Sequence, residues 1–186
     1  MDLVGRSRLI AERMLAPLGD RWKHVQGVAN RAMEIANVLD KADRSYLIAA
    51  AYLHDIGYAP PLRRTGLHQL DGALYVSRLG DTRLTALVAH HSEARFEIRL
   101  RGFGNELAAY DREGSSTADA LTYCDLTTGP VGQAMTLDER ISEVVQRYGE
   151  GEITAALRLA RPYLEAAVGR TIERLRELGL PGEARQ

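Results

Sequence analysis

The sequence predicts an all-α protein, and three observations carry that prediction. Apolar residues recur three and four apart through most of the chain, as in Val25, Val28, Ala32, Ile35, Ala36 and Leu39. Prolines, glycines and Ser, Thr or Asp residues fall where helices of ordinary length would start and stop. No segment alternates apolar and polar residues as a half-buried strand would, and there is no internal repeat or low-complexity tract. The expected organisation is one helical-bundle domain over residues 1–186: a core at about 20–150, scaffold helices over 151–180, and a frayed tail at 181–186.

Bulk properties narrow the function classes. Hydrophobic residues are 45% and charged residues 26% of the chain, as in an ordinary soluble globular protein. A net charge of −1 gives no global pull toward nucleic acid or a membrane, so stable nucleic-acid binding is not expected. No apolar run is long enough to cross a bilayer. The opening residues Met1–Arg6 lack the apolar core of a signal peptide. A single cysteine, Cys124, excludes an intrachain disulfide. Together these point to a cytoplasmic protein with no membrane partner.

Taken in order, residues 3 to about 18 read as an amphipathic packing helix, ended by Pro17 and Gly19. Asp20 is placed to cap a second helix over 21–39, which carries His24 in its first turn. Alone, His24 would read as a capping or core histidine. Arg21 and Lys23 flank it, either as phosphate contacts or as solvated charges. Asp43 or Ser45 would cap a third helix whose alanines, Ala49–Ala51, allow close approach of neighbours before it reaches His54-Asp55. Gly57 suits the left-handed residue that ends a helix. Ala59–Gly66 is a loop bearing Arg63 and Arg64, read as phosphate anchors or as a surface pair.

A short helix should follow from His68 to about Leu79, and Asp81 should cap another that closes on His90-His91. After it the pattern weakens, with Arg95 offered as a further phosphate contact. Ser115-Ser116 cap a helix to about Thr127 containing Asp119 and Asp125. The helix dipole alone explains Asp119 near the N-terminus, whereas Asp125 sits on an apolar surface and is the preferred ligand. Thr136-Leu137-Asp138-Glu139 is a capping box. The remainder is one long helical pattern that Pro162 should kink or split, read as scaffold or as the contact of a homo-oligomer.

The chemistry concentrates in the histidines. All five, His24, His54, His68, His90 and His91, precede Asp125. Imidazole and carboxylate together bind Zn, Mn or Fe. Asp55 lies near a helix C-terminus, where the dipole disfavours an anion and a bound cation would supply the reason for it. The order His24 … His54-Asp55 … His68 … His90-His91 … Asp125 resembles the HD-domain superfamily of metal-dependent phosphohydrolases, over roughly residues 20–150. Tyr123–Pro130 is similar to the last-aspartate segment of those proteins.

That resemblance implies a helical bundle with the metal site in its core. One ion would take His24, His54, Asp55 and Asp125. Asp55 would bridge to a second ion on His68 and His90, with His91 an added ligand or a substrate contact. The two ions would be Mn or Fe, with Zn, Co and Mg as further candidates. Asp55 and His91 are the catalytic candidates, and Lys23, Arg63, Arg64 and Arg95 the phosphate-binding ones. The reaction implied is hydrolysis of a phosphate mono- or diester, of a nucleotide first of all, by attack of metal-bound hydroxide. Two alternatives stand beside it: mixed-valence diiron oxygenases of the inositol and phosphonate oxygenase type, which use the same ligand set, and a non-catalytic metal- or nucleotide-binding module, against which the intact ligand set argues.

Overall fold

A computed structural model describes residues 1–180; the tail expected to fray, 181–186, lies outside the described residues. The described residues run through ten α-helices: α1 (Leu3–Leu15), α2 (Asp20–Ile35), α3 (Lys41–Leu53), α4 (His68–Ser77), α5 (Thr82–His90), α6 (Arg95–Leu100), α7 (Gly104–Leu107), α8 (Ser116–Leu126), α9 (Leu137–Tyr148) and α10 (Glu152–Glu177). The described residues include no strand beyond one isolated bridge between Thr128 and Ala134. The all-α prediction is borne out.

The bundle is assembled around α3. Ala49, Ala50 and Ala51 are all fully buried, which three consecutive helical residues achieve only when neighbours cover every side. Those neighbours are α1, α2, α5 and α8. Leu47, Leu53 and Ile56 are also buried to the last few per cent. Each such side chain contributes about 1.5–3 kcal/mol. A polar tie fixes the same packing from outside: Arg83 of α5 reaches Asp43 of α3 at 2.6 Å, and Glu113 just before α8 at 2.9 Å.

Local chemistry sets the helix ends. Asp81 accepts from the Leu84 amide at 2.9 Å and Ser115 from the Ala118 amide at 3.1 Å, as expected of caps. Thr136 and Glu139 form the reciprocal capping box that starts α9. Other expectations shift. Gly19 stands at the N-cap of α2 and Asp20 is its first residue. Asp40 precedes α3, ahead of both Asp43 and Ser45. Pro162 does not split α10, which runs 26 residues through it. The proline and Arg158, whose carbonyl loses its partner, are both exposed, so water can satisfy that group.

Gly57 has a different role from the one its sequence context suggests. It lies in the 3₁₀ turn Ile56–Tyr58 and its φ is not positive. A Cβ there would stand 2.0 Å from the His68 carbonyl oxygen and 2.7 Å from the Gly72 amide nitrogen. Glycine is required because the backbone of α4 lies against it. A comparable approach joins α2 to the loop after α8, where a Cβ on Gly27 would meet Gly132 Cα at 2.7 Å. These two contacts bring His68 and the Gly129 carbonyl to the ends of α3 and α2.

Candidate metal centre

Five helix termini converge at one place. His24 comes from the first turns of α2, His54-Asp55 from the end of α3, His68 from the start of α4, and His91 from just beyond α5. Asp125 comes from the last turn of α8. His24, His54, Asp55, His91 and Asp125 are all buried, and His68 is partly exposed.

Two donor groups form there. In the first, His24 Nε2 lies 3.2 Å from Asp125 Oδ1, 3.4 Å from His54 Nε2 and 3.8 Å from Asp55 Oδ2. His54 Nε2 lies 3.5 Å from Asp55 Oδ2 and 3.9 Å from Asp125 Oδ1. In the second, His68 Nε2 stands 3.2 Å from Asp55 Oδ1 and 3.3 Å from His91 Nε2. Donors about 2.1 Å from a common ion are roughly 3.0–4.2 Å apart. Ligand atoms of His24, His54 and Asp55 lie within 4.8 Å of one another, as do those of Asp55, His68 and His91, so either set could hold a metal ion, with Asp125 Oδ1 adjoining the first. Asp55 gives one carboxylate oxygen to each group.

The ring nitrogens facing away explain why the inner ones are free to ligate. The Nδ1–H of His24 donates to the Gly129 carbonyl at 3.0 Å, that of His54 to Ala51 at 2.8 Å, and that of His91 to Val88 at 2.7 Å. A carbonyl only accepts, so each Nδ1 donates its proton outward and each Nε2 faces the other donors. Metal-binding histidines are oriented in this way by their outer partners. Burial lowers the His54 pKa, and for His68 burial outweighs the Asp55 charge and takes it to about 3. Burial opposes ionisation of Asp55, yet Arg21 and the facing histidines hold its carboxyl well below the usual range. Asp125 is likewise held low against burial by its hydrogen bond to His24 and the neighbouring charges. Neutral imidazoles and ionised carboxylates are the protonation states that divalent metals need.

The turn after α5 sorts the histidine pair. His90 ends the helix and its Nε2–H donates to the Tyr110 carbonyl at 2.8 Å, away from the donor groups. His91 begins the next turn and points inward. The expectation that His90 shares an ion with His68 is therefore corrected to His91. Ser92 and Glu93 follow with φ of 49° and 57°. Non-glycine residues adopt that region at a cost, and here it carries the Ser92 hydroxyl to Asp125 Oδ2 at 2.5 Å. Ser92 was not singled out in the sequence. Asp119, by contrast, lies apart from the histidines and takes two hydrogen bonds from Arg170 of α10, at 2.8 and 2.6 Å.

The four basic residues expected to bind phosphate lie elsewhere. Lys23 is exposed and pairs with Asp20 at 2.8 Å. Arg63 donates to the Tyr58 carbonyl at 3.1 Å from an exposed loop, and the Arg64 side chain is also exposed. Arg95 bonds Glu93 at 2.6 Å and stacks between Phe96 and Tyr163, each ring centre 4.5 Å away. Other arginines occupy the site. Arg21 meets Asp55 Oδ2 at 2.5 Å and lies 4.0 Å over the Tyr58 ring, which stacks on His68 at 4.2 Å. Arg140 and Arg147 of α9 line the cleft of about 160 Å³ that opens onto Asp55, His68, His91 and Asp125. A signal for Arg140 was present: it falls in phase with Leu137 and Val144, where a buried residue belongs.

A family model for the HD domain matches residues 21–141. That span contains every member of both donor groups. No curated protein and no solved structure matches the chain.

Proposed function

The chain belongs to the HD-domain family, and from that premise we propose that it is a metal-dependent phosphohydrolase cleaving a phosphate mono- or diester, with nucleotides the first substrates to assay. One observation carries the reading: two donor groups of imidazoles and carboxylates share Asp55, one oxygen to each. Its members would be His24, His54, Asp55 and Asp125 on one side and Asp55, His68 and His91 on the other. Mixed nitrogen and oxygen donors suit Mn or Fe. Divalent ions so placed supply Lewis acidity and a nucleophile from water near neutral pH.

The chain's own residues supply the rest. Burial of the donors keeps bulk water from the reacting centre, which strengthens every charge interaction there. The Nδ1 proton of His91 is engaged by Val88, so His91 serves as a metal donor and not as an acid. Arg21 sets the orientation of Asp55 and brings a guanidinium to the cleft wall. The arginine-lined cleft suits an anionic substrate, which favours a phosphoester over the neutral polyol that an oxygenase of the inositol type would take.

The test is elemental analysis of the purified protein, then assay of phosphoesters with Mn under anaerobic and aerobic conditions. About two metal atoms per chain with oxygen-independent release of phosphate are expected. Turnover that requires O₂ and reduced iron would replace the hydrolase reading by the oxygenase one. Absence of metal after reconstitution would leave a non-catalytic module.

A further inference from the structure

The cleft wall contributed by α9 carries more positive charge than its own carboxylates balance. Arg140 and Arg147 sit seven residues apart, hence on one face of α9. Both donate to the same carboxylate, Glu143, one to each oxygen. Two guanidiniums therefore share one anion. Of the other charged residues of the cleft, Arg21 pairs with Asp55 at 2.5 Å, Glu97 pairs with Arg101 at 3.5 Å, and Asp125, which faces Arg140, belongs to the first donor group. Once a bound cation takes Asp125, one positive charge on α9 is left over.

An independent observation marks the same wall. Arg140 is 7% exposed, and its Nε is buried with no hydrogen-bond partner among the described residues. A charged, buried N–H without an acceptor is costly, and proteins rarely leave one. Gln69, 5% exposed, lines the same cleft, and its Oε1 is likewise buried and unpartnered. An orphan charged donor and an orphan acceptor thus border the space above the donor groups. Both become satisfied if a ligand brings an anion to Arg140 and a hydroxyl or N–H to Gln69.

We propose that Arg140 and Arg147 form a second anion subsite, and that the substrate carries a non-scissile phosphate or carboxylate in addition to the phosphate presented to the donor groups. The guanidinium fork matches either oxyanion, which fixes the chemistry of the group. The inference rests on the phosphohydrolase reading for the identity of the first group. It goes beyond it because Arg147 lies outside the family-matched span and Arg140 falls at its edge. The cleft of about 160 Å³ is well under the range of roughly 300–1,000 Å³ that encloses a whole drug-sized ligand. It encloses the two anionic ends, and whatever else the substrate bears extends past Tyr148 to solvent.

Binding tests this without turnover. Calorimetry on the Mn-loaded protein would compare methyl-, ethyl- and propylphosphonate with the corresponding bisphosphonates and with the phosphonocarboxylates of the same chain lengths. At least one bis-anion should bind about ten-fold or more tightly than its mono-anion, the return from one charge-assisted contact with a desolvated partner. Bisphosphonate and phosphonocarboxylate arms show whether phosphate or carboxylate is preferred. Arg147 is the side chain to change, because Arg140 is buried and its loss could compromise folding. Arg147→Met should remove most of the preference, while Arg158→Met, on the exposed start of α10, should leave it intact. Equal affinity for mono- and bis-anions overturns the proposal. So does a preference that Arg147→Met leaves in place, since that is chelation by the metal alone. Hydrolysis of monoesters with no bis-anion preference would sink this inference and spare the phosphohydrolase reading; bis-anion binding without any ester hydrolysis would do the reverse.

Discussion

Substituting Gly57 by alanine tests how the second donor group is built. The new Cβ would lie 2.0 Å from the His68 carbonyl oxygen, where ordinary contact begins at 3.4 Å. Backbone on both sides must therefore separate by about 1.4 Å, the difference of those distances. No flexible side chain is there to absorb it, because the next contacts are the Gly72 amide and His68 carbonyl carbon, both at 2.7 Å. Overpacking of this kind costs roughly 1–3 kcal/mol. For a chain of this size each kcal/mol lowers Tm by about 2–4 °C, so a fall of about 2–12 °C is expected. The chemical effect should be larger. His68 opens α4, and its Nε2 is 3.2 Å from Asp55 Oδ1. Ligand distances are held to about 0.2 Å, so a shift above an ångström removes His68 from the group. Thermal melting and elemental analysis together read both effects. Gly57→Ala should lose about one metal atom per chain while the His24–His54–Asp125 side persists. Gly169→Ala is the matched control, since its Cβ meets nothing within 4 Å inside α10 and should raise stability by about 0.4–1 kcal/mol. A Gly57→Ala protein with unchanged Tm and full metal content would refute this reasoning.

Other outcomes follow from the same geometry. Alanine at Asp55 should abolish metal binding at both groups and all turnover with the helical circular dichroism largely kept, whereas His68→Ala should cost one ion; two ions retained in Asp55→Ala would sink the bridging role. Stripping metal with a chelator should lower Tm, because ions at a hundred-fold excess over Kd contribute about 2.7 kcal/mol per site; a melting curve indifferent to chelation would count against any resident ion. Ser92→Ala should weaken metal retention by roughly ten-fold, as loss of an outer partner to a ligand does; a competition titration against a chelator of known affinity checks this. Cys124 is fully buried and burial raises its pKa, so a thiol reagent at pH 8 should leave the native protein unlabelled and label it after denaturation; rapid native labelling would contradict its packing.

Much of the architecture was legible because it depends on local signals. The capping box at Thr136, the caps at Asp81 and Ser115, and the breakers near Gly19 and Gly80 act over three or four residues, and periodicity covers the rest. Asp125 was separable from Asp119 because burial and helix position already differ in the sequence. What was not legible depends on direction. His90 and His91 are chemically identical neighbours, and the backbone decides between them: the chain leaves the helix at His90 (φ −109°, ψ 3°) and His91 (φ −55°, ψ 146°), and Ser92 and Glu93 follow at positive φ. Neither residue is of a type that announces that conformation. The phosphate contacts failed for a related reason. Basic residues adjacent to a motif in sequence, such as Lys23, Arg63 and Arg64, were weighted by proximity along the chain, but α9 returns to the cleft from about 85 residues beyond Asp55. Arg140 marked itself only by occupying a buried phase of that helix.

The doublet itself shows why helix ends are the right material for this centre. Adjacent residues within an α-helix diverge by about 100°, so His54 and Asp55 in mid-helix would face different neighbours. Here α3 stops at Leu53, and Asp55 adopts φ −99° and ψ 11° at the head of a 3₁₀ turn. That change of winding brings Asp55 Oδ2 to 3.5 Å from His54 Nε2, while Oδ1 faces His68. The cost is an anion at the negative end of a helix dipole, about 0.3–1 kcal/mol in exposed cases and more where solvent is excluded. Arg21 offsets it through a 2.5 Å contact, and burial makes that offset necessary: a carboxylate 3% exposed is not tolerated ionised without a cation beside it. The same logic extends to the end of α5, where Val88 holds His91 as Ala51 holds His54, each through the carbonyl three residues back. Two helices thus end in one device, an outward Nδ1–H fixed to the helix's own last turn and an inward Nε2. Because Asp55 lies between them, either group can be disturbed alone only by residues on its far side, such as His68 or His24.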